Sequence, residues 1–126
     1  MQPELSRAPN TRQARPPAEP EELILASAVI GKPIYDRDGD KMGHVEDIAI
    51  FKRSGRAPYA ITSIGGFLGL GERYHPIPWE ALTYDLDLGG YVVRLSHDEL
   101  RAAPTYEKEE LSDIGEDDLK AHWVFI

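Results

Sequence analysis

Ile30-Gly31-Lys32-Pro33-Ile34-Tyr35-Asp36-Arg37-Asp38-Gly39-Asp40-Lys41-Met42-Gly43-His44-Val45-Glu46-Asp47-Ile48-Ala49-Ile50-Phe51 is the stretch on which the fold turns. Asp38-Gly39 is a strong short-range hairpin signal, because glycine takes the positive φ that a tight turn between twisted strands demands. It separates Ile34-Tyr35 from a β-rich run over 42–51. Strict alternation along that run puts Val45, Ala49 and Phe51 on one face and Ile48 and Ile50 on the other. A strand apolar on both faces needs cover on both. A terminal helix or another subunit is expected to supply the second cover.

The same grammar continues outward. Ser54-Gly55 separates this run from a second two-faced strand over 59–64, where Tyr59 and Ile61 face away from Ala60 and Ile64. Gly89-Gly90 separates 82–86 from 91–95, in which Tyr91, Val93 and Leu95 point one way and Val92 and Arg94 the other. Successive glycine turns between Val/Ile/Tyr-rich runs predict hairpins. Ser96-His97-Asp98-Glu99 is a capping box, which predicts a short helix through Leu100 to Ala103 that Pro104 ends. A weak helix is expected over 116–122. The 10 prolines and 11 glycines among 126 residues argue against long uninterrupted helices, and so against a helical bundle or coiled coil.

Composition divides the chain into three parts. Residues 1–22 hold Pro3, Pro9, Pro16, Pro17 and Pro20 with one leucine, too little apolar surface to offset ordering entropy, so a disordered arm is expected there. Residues 23–104 form the β-domain. Residues 105–126 form an acidic extension whose last residues, His122-Trp123-Val124-Phe125-Ile126, are apolar and are expected to dock onto the barrel or a neighbour. Fourteen Lys and Arg against 22 Asp and Glu leave a net charge of −8, against the needs of a general nucleic-acid binder. The absence of cysteine removes disulfides and thiolate chemistry. Met1-Gln2-Pro3-Glu4 opens no signal peptide, and the longest apolar stretch, 23–30, is far below the roughly 20 residues that span a bilayer. A cytoplasmic protein is expected, held at a membrane only through a partner.

Motifs that resemble chemistry resolve into turns. Asp36-Arg37-Asp38-Gly39-Asp40 imitates the start of a calcium loop, but Lys41 and Asp47 stand where glycine and a bidentate glutamate are needed. A charged hairpin turn is expected instead. Gly65-Gly66-Phe67-Leu68-Gly69-Leu70-Gly71 lacks the Lys-Ser/Thr pair and the following helix of a phosphate loop. It is read as a barrel-end loop whose Phe67, Leu68 and Leu70 form a docking tip. His44 and Glu46 share a strand face as two potential metal ligands without a third at fixed spacing. No catalytic, cofactor-binding or metal site is assigned.

Together these pieces resemble the PRC-barrel family, named for the cytoplasmic domain of the photosynthetic reaction-centre H subunit and including the C-terminal domain of a ribosome-maturation factor. The similarity runs from Ile30-Gly31-Lys32-Pro33-Ile34-Tyr35-Asp36 through Asp38 to Asp47 and the glycine loop to Pro76-Ile77-Pro78-Trp79, covering about residues 24–103. It implies a mainly β chain: a small, highly bent antiparallel β-barrel of about six strands with short C-terminal helical elements. It places Gly31, Gly39 and Gly43 at turns or bends, Gly65 and Gly66 at the entry to the barrel-end loop with Gly69 and Gly71 inside it, and Asp47 and Pro78 in the motif. Trp79 and Tyr91 become core contributors, and Pro76 and Pro78 confine their strand to an edge.

Family members of known role act as assembly and interaction modules. Central strands apolar on both faces, an apolar glycine loop and an apolar chain end after an acidic segment lead to the expectation of a non-catalytic adaptor that binds a protein partner or itself as a homodimer. The candidate surface is Phe67, Leu68, Leu70, Ile48, Ile50, Trp123 and Phe125. Two other classes remain open: a small-molecule or metal-binding barrel with hydrolytic activity, requiring His44, Glu46 or His75 to converge, and an RNA- or ribosome-associated assembly factor using Arg7, Arg12 and Arg15, which the net acidity opposes.

Overall fold

The first turn of the sheet is built by Asp36. Its carboxylate Oδ1 accepts the backbone N–H groups of Asp38 and Asp40, both at 2.9 Å, and Gly39 between them takes a φ of +86°. This closed Asx-type turn satisfies donors that the hairpin would otherwise leave open. Asp36 is buried, with His97 Nδ1 3.7 Å from its Oδ2. The calcium-like run is therefore a turn in which the acidic side chain binds its own backbone.

The computed structural model describes residues 21–65 and 73–113. In chain order they form α1 (Ala26–Val29), β1 (Pro33–Tyr35), β2 (Lys41–Ala49), β3 (Tyr59–Ile64), β4 (His75–Pro78), a one-turn 3₁₀ helix (Trp79–Ala81), β5 (Leu82–Asp85), β6 (Gly90–Val93), α2 (His97–Ala102) and α3 (Lys108–Leu111). The strands make one six-stranded sheet in the order β4-β3-β2-β1-β6-β5, bent into a half-barrel. The expected mainly β class and strand number hold, with one correction to the antiparallel expectation: β1 and β6 pair in parallel, Ile34 with Tyr91 and Tyr35 with Val92. Long-range parallel pairing has no local turn signal. It is made possible here by Gly90, where a Cβ would come within 2.5 Å of the Pro33 carbonyl oxygen.

The alternation expected for β2 is also corrected. Val45 pairs with Thr62, Asp47 with Ile61 and Ile48 with Ala60, so Glu46 is an extra residue opposite no partner. This bulge re-phases the strand and puts Val45 and Ile48 on the same face. The interior face then carries Ile34, Val45, Ala60, Thr62 and Ile77, all fully buried. Leu100 of α2, also fully buried, closes the core. The capping box forms as expected: Glu99 N–H donates to Ser96 Oγ at 3.1 Å and Ser96 N–H to Glu99 Oε1 at 2.8 Å. These bonds, Ser96's backbone donor first, hold the Glu99 carboxyl below the ordinary carboxylate range. The helix starts at His97, three residues before Leu100, because the cap and not the first apolar residue sets its origin. The apolar stretch 23–30, given no element by the sequence, contains α1, which buries Val29 and leaves Leu23, Ile24 and Leu25 exposed.

Both edges of the sheet follow from chemistry. Trp79 N–H donates to Pro58 O at 2.9 Å, so odd-numbered residues of β4 direct their amides at β3. Even-numbered positions point outward, and there Pro76 and Pro78 have no donor to offer. Tyr74, also even, exchanges two 2.9 Å bonds with Tyr106. This edge thus presents no N–H donor at positions 74, 76 or 78, as the prolines lead one to expect. β5, the opposite edge, has no strand on its outer side among the described residues.

Candidate functional site

Beyond Pro104 the chain returns to the outer face of β2 and β3 as a strap. Arg73 anchors it: Nε donates to Thr105 Oγ1 at 2.7 Å and Nη2 to Thr105 O at 2.8 Å, while Glu107 and Glu110 lie within 4.0 Å of the guanidinium. Glu107 and Glu110 also form the capping box of α3. Tyr106 and Leu111 pack against the buried cluster. A terminal helix thus provides part of the second cover that the two-faced strands require, but over Lys108–Leu111. The expected helix over 116–122 lies outside the described residues. Replacing Arg73 with alanine is expected to loosen this strap for about 1 kcal/mol. Hydrogen exchange at the Tyr106 amide should accelerate while the β2–β3 amides keep their protection.

Between strap and sheet lies an open groove of about 550 Å³, within the roughly 300–1,000 Å³ range of ligand clefts. Ile48, Ile50, Phe51, Tyr59, Ile61 and Leu111 make its apolar lining. Tyr59 and Ile61 are buried at 5% and 4% exposure, whereas Ile50 stands 60% exposed at the mouth. Lys52 and Lys108 line the same groove. Arg53 follows Lys52 in the β2–β3 turn, and the Arg56 guanidinium sits 5.2 Å from the Phe51 ring centroid. Asp47 is the one acidic residue in the lining, so in a chain of net charge −8 the groove's own lining carries more basic than acidic side chains.

Of the expected surface, Ile48 and Ile50 come together here. Phe67, Leu68, Leu70, Trp123 and Phe125 lie outside the described residues, as do Gly66, Gly69, Gly71 and the arm arginines. Phe51, Tyr59, Ile61, Leu111 and the two lysines were not singled out as site residues. The two-faced pattern of 59–64 was the available signal for Tyr59 and Ile61, whereas Lys108 and Leu111 reach the groove only through the strap. Gly31, Gly39 and Gly65 have positive φ, and Gly43 lies against the β3 backbone. Asp47 Oδ1 accepts the Ile48 N–H at 2.8 Å. Trp79 stacks at a tilt on Tyr91, centroids 5.9 Å apart, at the junction from β4 to β5. Burial, then the neighbouring Tyr84, raises the Tyr91 hydroxyl above its ordinary pKa.

The histidines do not converge. His44 Nε2 and Glu46 Oε2 contact each other at 2.9 Å on the exposed face. His44 pairs with Ser63 and His75 with Thr62. Because residues 62 and 63 alternate, His44 and His75 lie on opposite faces of the sheet. Among the described residues no three His, Asp or Glu side chains are grouped to hold a metal ion, and no helix is long and apolar enough to cross a membrane.

His75 faces the interior, its carbonyl accepting the Thr62 hydroxyl at 2.8 Å, and neither ring nitrogen has a partner among the described residues. Burial pushes its pKa below 6.5. The unfolded chain takes up this proton near pH 6.5 and the fold resists it. The stability contribution is therefore complete above about pH 6.5 and is lost as pH falls toward the folded-state pKa. His75→Leu should remove this dependence and raise stability at neutral pH by about 1 kcal/mol. Urea midpoints at about pH 7.5 and about pH 5 would differ less in the variant. An unchanged difference would assign the pH dependence to other groups.

The family model for the PRC-barrel domain matches residues 21–100. No curated protein gives a significant match to the chain.

Proposed function

Because the chain belongs to the PRC-barrel domain family, we propose that it is a non-catalytic interaction module which docks a protein segment in the groove between its strap and the outer face of β2 and β3. The observation that carries this reading is the composition of the groove: an apolar floor of Ala49, Tyr59 and Ile61, a 60% exposed Ile50, and Lys52 and Lys108 against the single carboxylate of Asp47 among its lining charges. An exposed apolar patch rimmed by polar groups is the usual form of a protein-docking surface. Cations at such a rim select acidic segments and speed their encounter.

Self-association is part of the same proposal. Among the described residues no strand covers the outer backbone edge of β5, and Tyr84, Leu86 and Leu88 around its hairpin are exposed at 42%, 87% and 38%. An open edge beside exposed apolar side chains templates pairing with a second chain.

The test compares the wild-type chain with Ile50→Asp, a change at a 60% exposed position that leaves the core intact. Both are used as bait in lysate of the source cells and examined by light scattering. A stoichiometric protein retained by the wild type and lost by the variant is expected. Scattering at micromolar concentration should give twice the mass of one chain for both proteins, since the β5 edge is distant in the sheet order from the groove strands. Equal capture by both baits would overturn the groove assignment, and a monomer would remove the dimer.

A further inference from the structure

We propose that the groove has a resident occupant, the chain's own apolar segment 123–126, held in cis by the acidic stretch that precedes it, so that a partner must displace it to dock. This inference rests on the groove reading above and adds its regulation.

Three observations converge on this occupant. The first is where the described chain stops. Leu111 and Ser112 line the groove, and Asp113, the next residue, is the last one described. The tether therefore leaves from the groove's own wall. Trp123 lies ten positions beyond Asp113, a length whose extended reach is about 35 Å and whose helical reach is about 15 Å. Either is ample for a segment that has only to fold back on the wall it leaves.

The second is chemical match. Trp123, Val124, Phe125 and Ile126 are four consecutive apolar residues, and the groove offers an apolar floor with Tyr59 and Ile61 at its base and Phe51 and Ile50 toward its mouth. Aromatic side chains gain most from such a surface, because each buries a large apolar area and adds ring–ring contacts.

The third is charge. Glu116, Asp117 and Asp118 lie on the tether between Asp113 and the apolar segment, with Lys120 as the only cation. They would pass the rim formed by Lys52 and Lys108, with Arg53 next to it. The acidity that is unfavourable in an already negative chain is thus directed at a cluster of positive groups.

Covalent attachment makes the segment a strong competitor without tight intrinsic binding. A short tether gives an effective concentration in the millimolar range, so a free partner of equal intrinsic affinity, present at micromolar concentration, is excluded until it brings contacts of its own. This is how a docking module avoids indiscriminate capture of apolar segments.

The experiment uses the full chain, a full-chain double variant Trp123→Ala/Phe125→Ala, and a synthetic peptide of residues 114–126 as the probe. Peptide affinity is measured by calorimetry at low and high salt, and the mass of each protein by light scattering. The expected result is measurable binding to the double variant, at least tenfold weaker binding to the wild type, and loss of affinity in high salt. Lys52→Glu/Lys108→Glu in the double variant should weaken the peptide further, and Ile50→Asp in it should abolish binding. Equal binding to wild type and double variant would overturn occupancy in cis, because the wild-type groove would then be open. Binding to neither would overturn the segment as the occupant, while capture of a partner in the Ile50→Asp comparison would still stand as a separate result. A wild-type dimer that becomes a monomer in the double variant would mean the segment is exchanged between copies, and this also overturns the cis arrangement.

Discussion

Gly43→Ala is expected to remove cooperative folding or to destabilise the domain by on the order of 4 kcal/mol, a large share of the roughly 5–15 kcal/mol that holds a small domain together. A Cβ at this position would stand 1.8 Å from the Ser63 carbonyl oxygen, 2.8 Å from its carbon and 3.0 Å from Ile64 Cα. These are backbone atoms of the neighbouring strand, so no side-chain rotation relieves the contact. Gly43 pairs with Ile64 on one side and Ile34 on the other, so β2 cannot retreat without breaking a second ladder. Gly39→Ala is the informative comparison. It sits at φ +86° with nothing within 4 Å of its would-be Cβ, and its cost is the roughly 1–2 kcal/mol of placing alanine in the left-handed region. Urea unfolding of both variants should show Gly39→Ala shifted and still cooperative, and Gly43→Ala unfolded or nearly so. Equal shifts would mean that the strands separate at position 43 more easily than the geometry implies.

Ile34→Ala is expected to cost about 3–5 kcal/mol, the upper part of the range for truncating a buried isoleucine. Ile34 is fully buried, and β1, only three residues long, is the one strand joining β2-β3-β4 to β6-β5. Its side chain packs the interior at the point where an antiparallel and a parallel ladder meet, opposite Gly43 and Tyr91. The cavity would therefore form at a narrow junction, with no second strand pair to bridge it among the described residues. Hydrogen exchange should reveal this as a loss of protection in β5 and β6 together with the global decrease. Ile34→Val, which keeps the β-branch, should cost about 1 kcal/mol. A uniform loss of protection scaled only to global stability would show that β1 does not act as a separate link.

Much of this architecture was legible because its causes are local. The turns at Asp38-Gly39, Ser54-Gly55 and Gly89-Gly90 require glycine at positive φ, and Gly39, Gly55 and Gly89 adopt it. The clean alternation of Tyr91, Val93 and Leu95 reports a single buried face, and all three are buried. The capping box at Ser96 and Glu99 is a contact between residues three apart. Pro76 and Pro78 identify an edge because a missing donor is a property of the residue itself.

The strap, the bulge and the groove were not legible in the same way. Arg73 meets Thr105 across 32 residues, and nothing in either local sequence marks the pairing. Glu46 shifts the phase of β2 by one residue, so an alternation count carried through it assigns Ile48 to the wrong face. The parallel pairing of β1 with β6 joins segments more than fifty residues apart.

Sequence alone determined the class of structure: its turns, its short β-strands, the edge sealed by proline and the need of two strands for cover on both faces. Each follows from backbone chemistry acting over a few residues. Tertiary structure alone decided what supplies that cover and where an apolar surface stays open. Those outcomes depend on which distant segments find one another, through Arg73 with Thr105 and Ile34 with Tyr91. The free energy of such contacts is set by packing in three dimensions, for which a linear pattern of residue types carries no term.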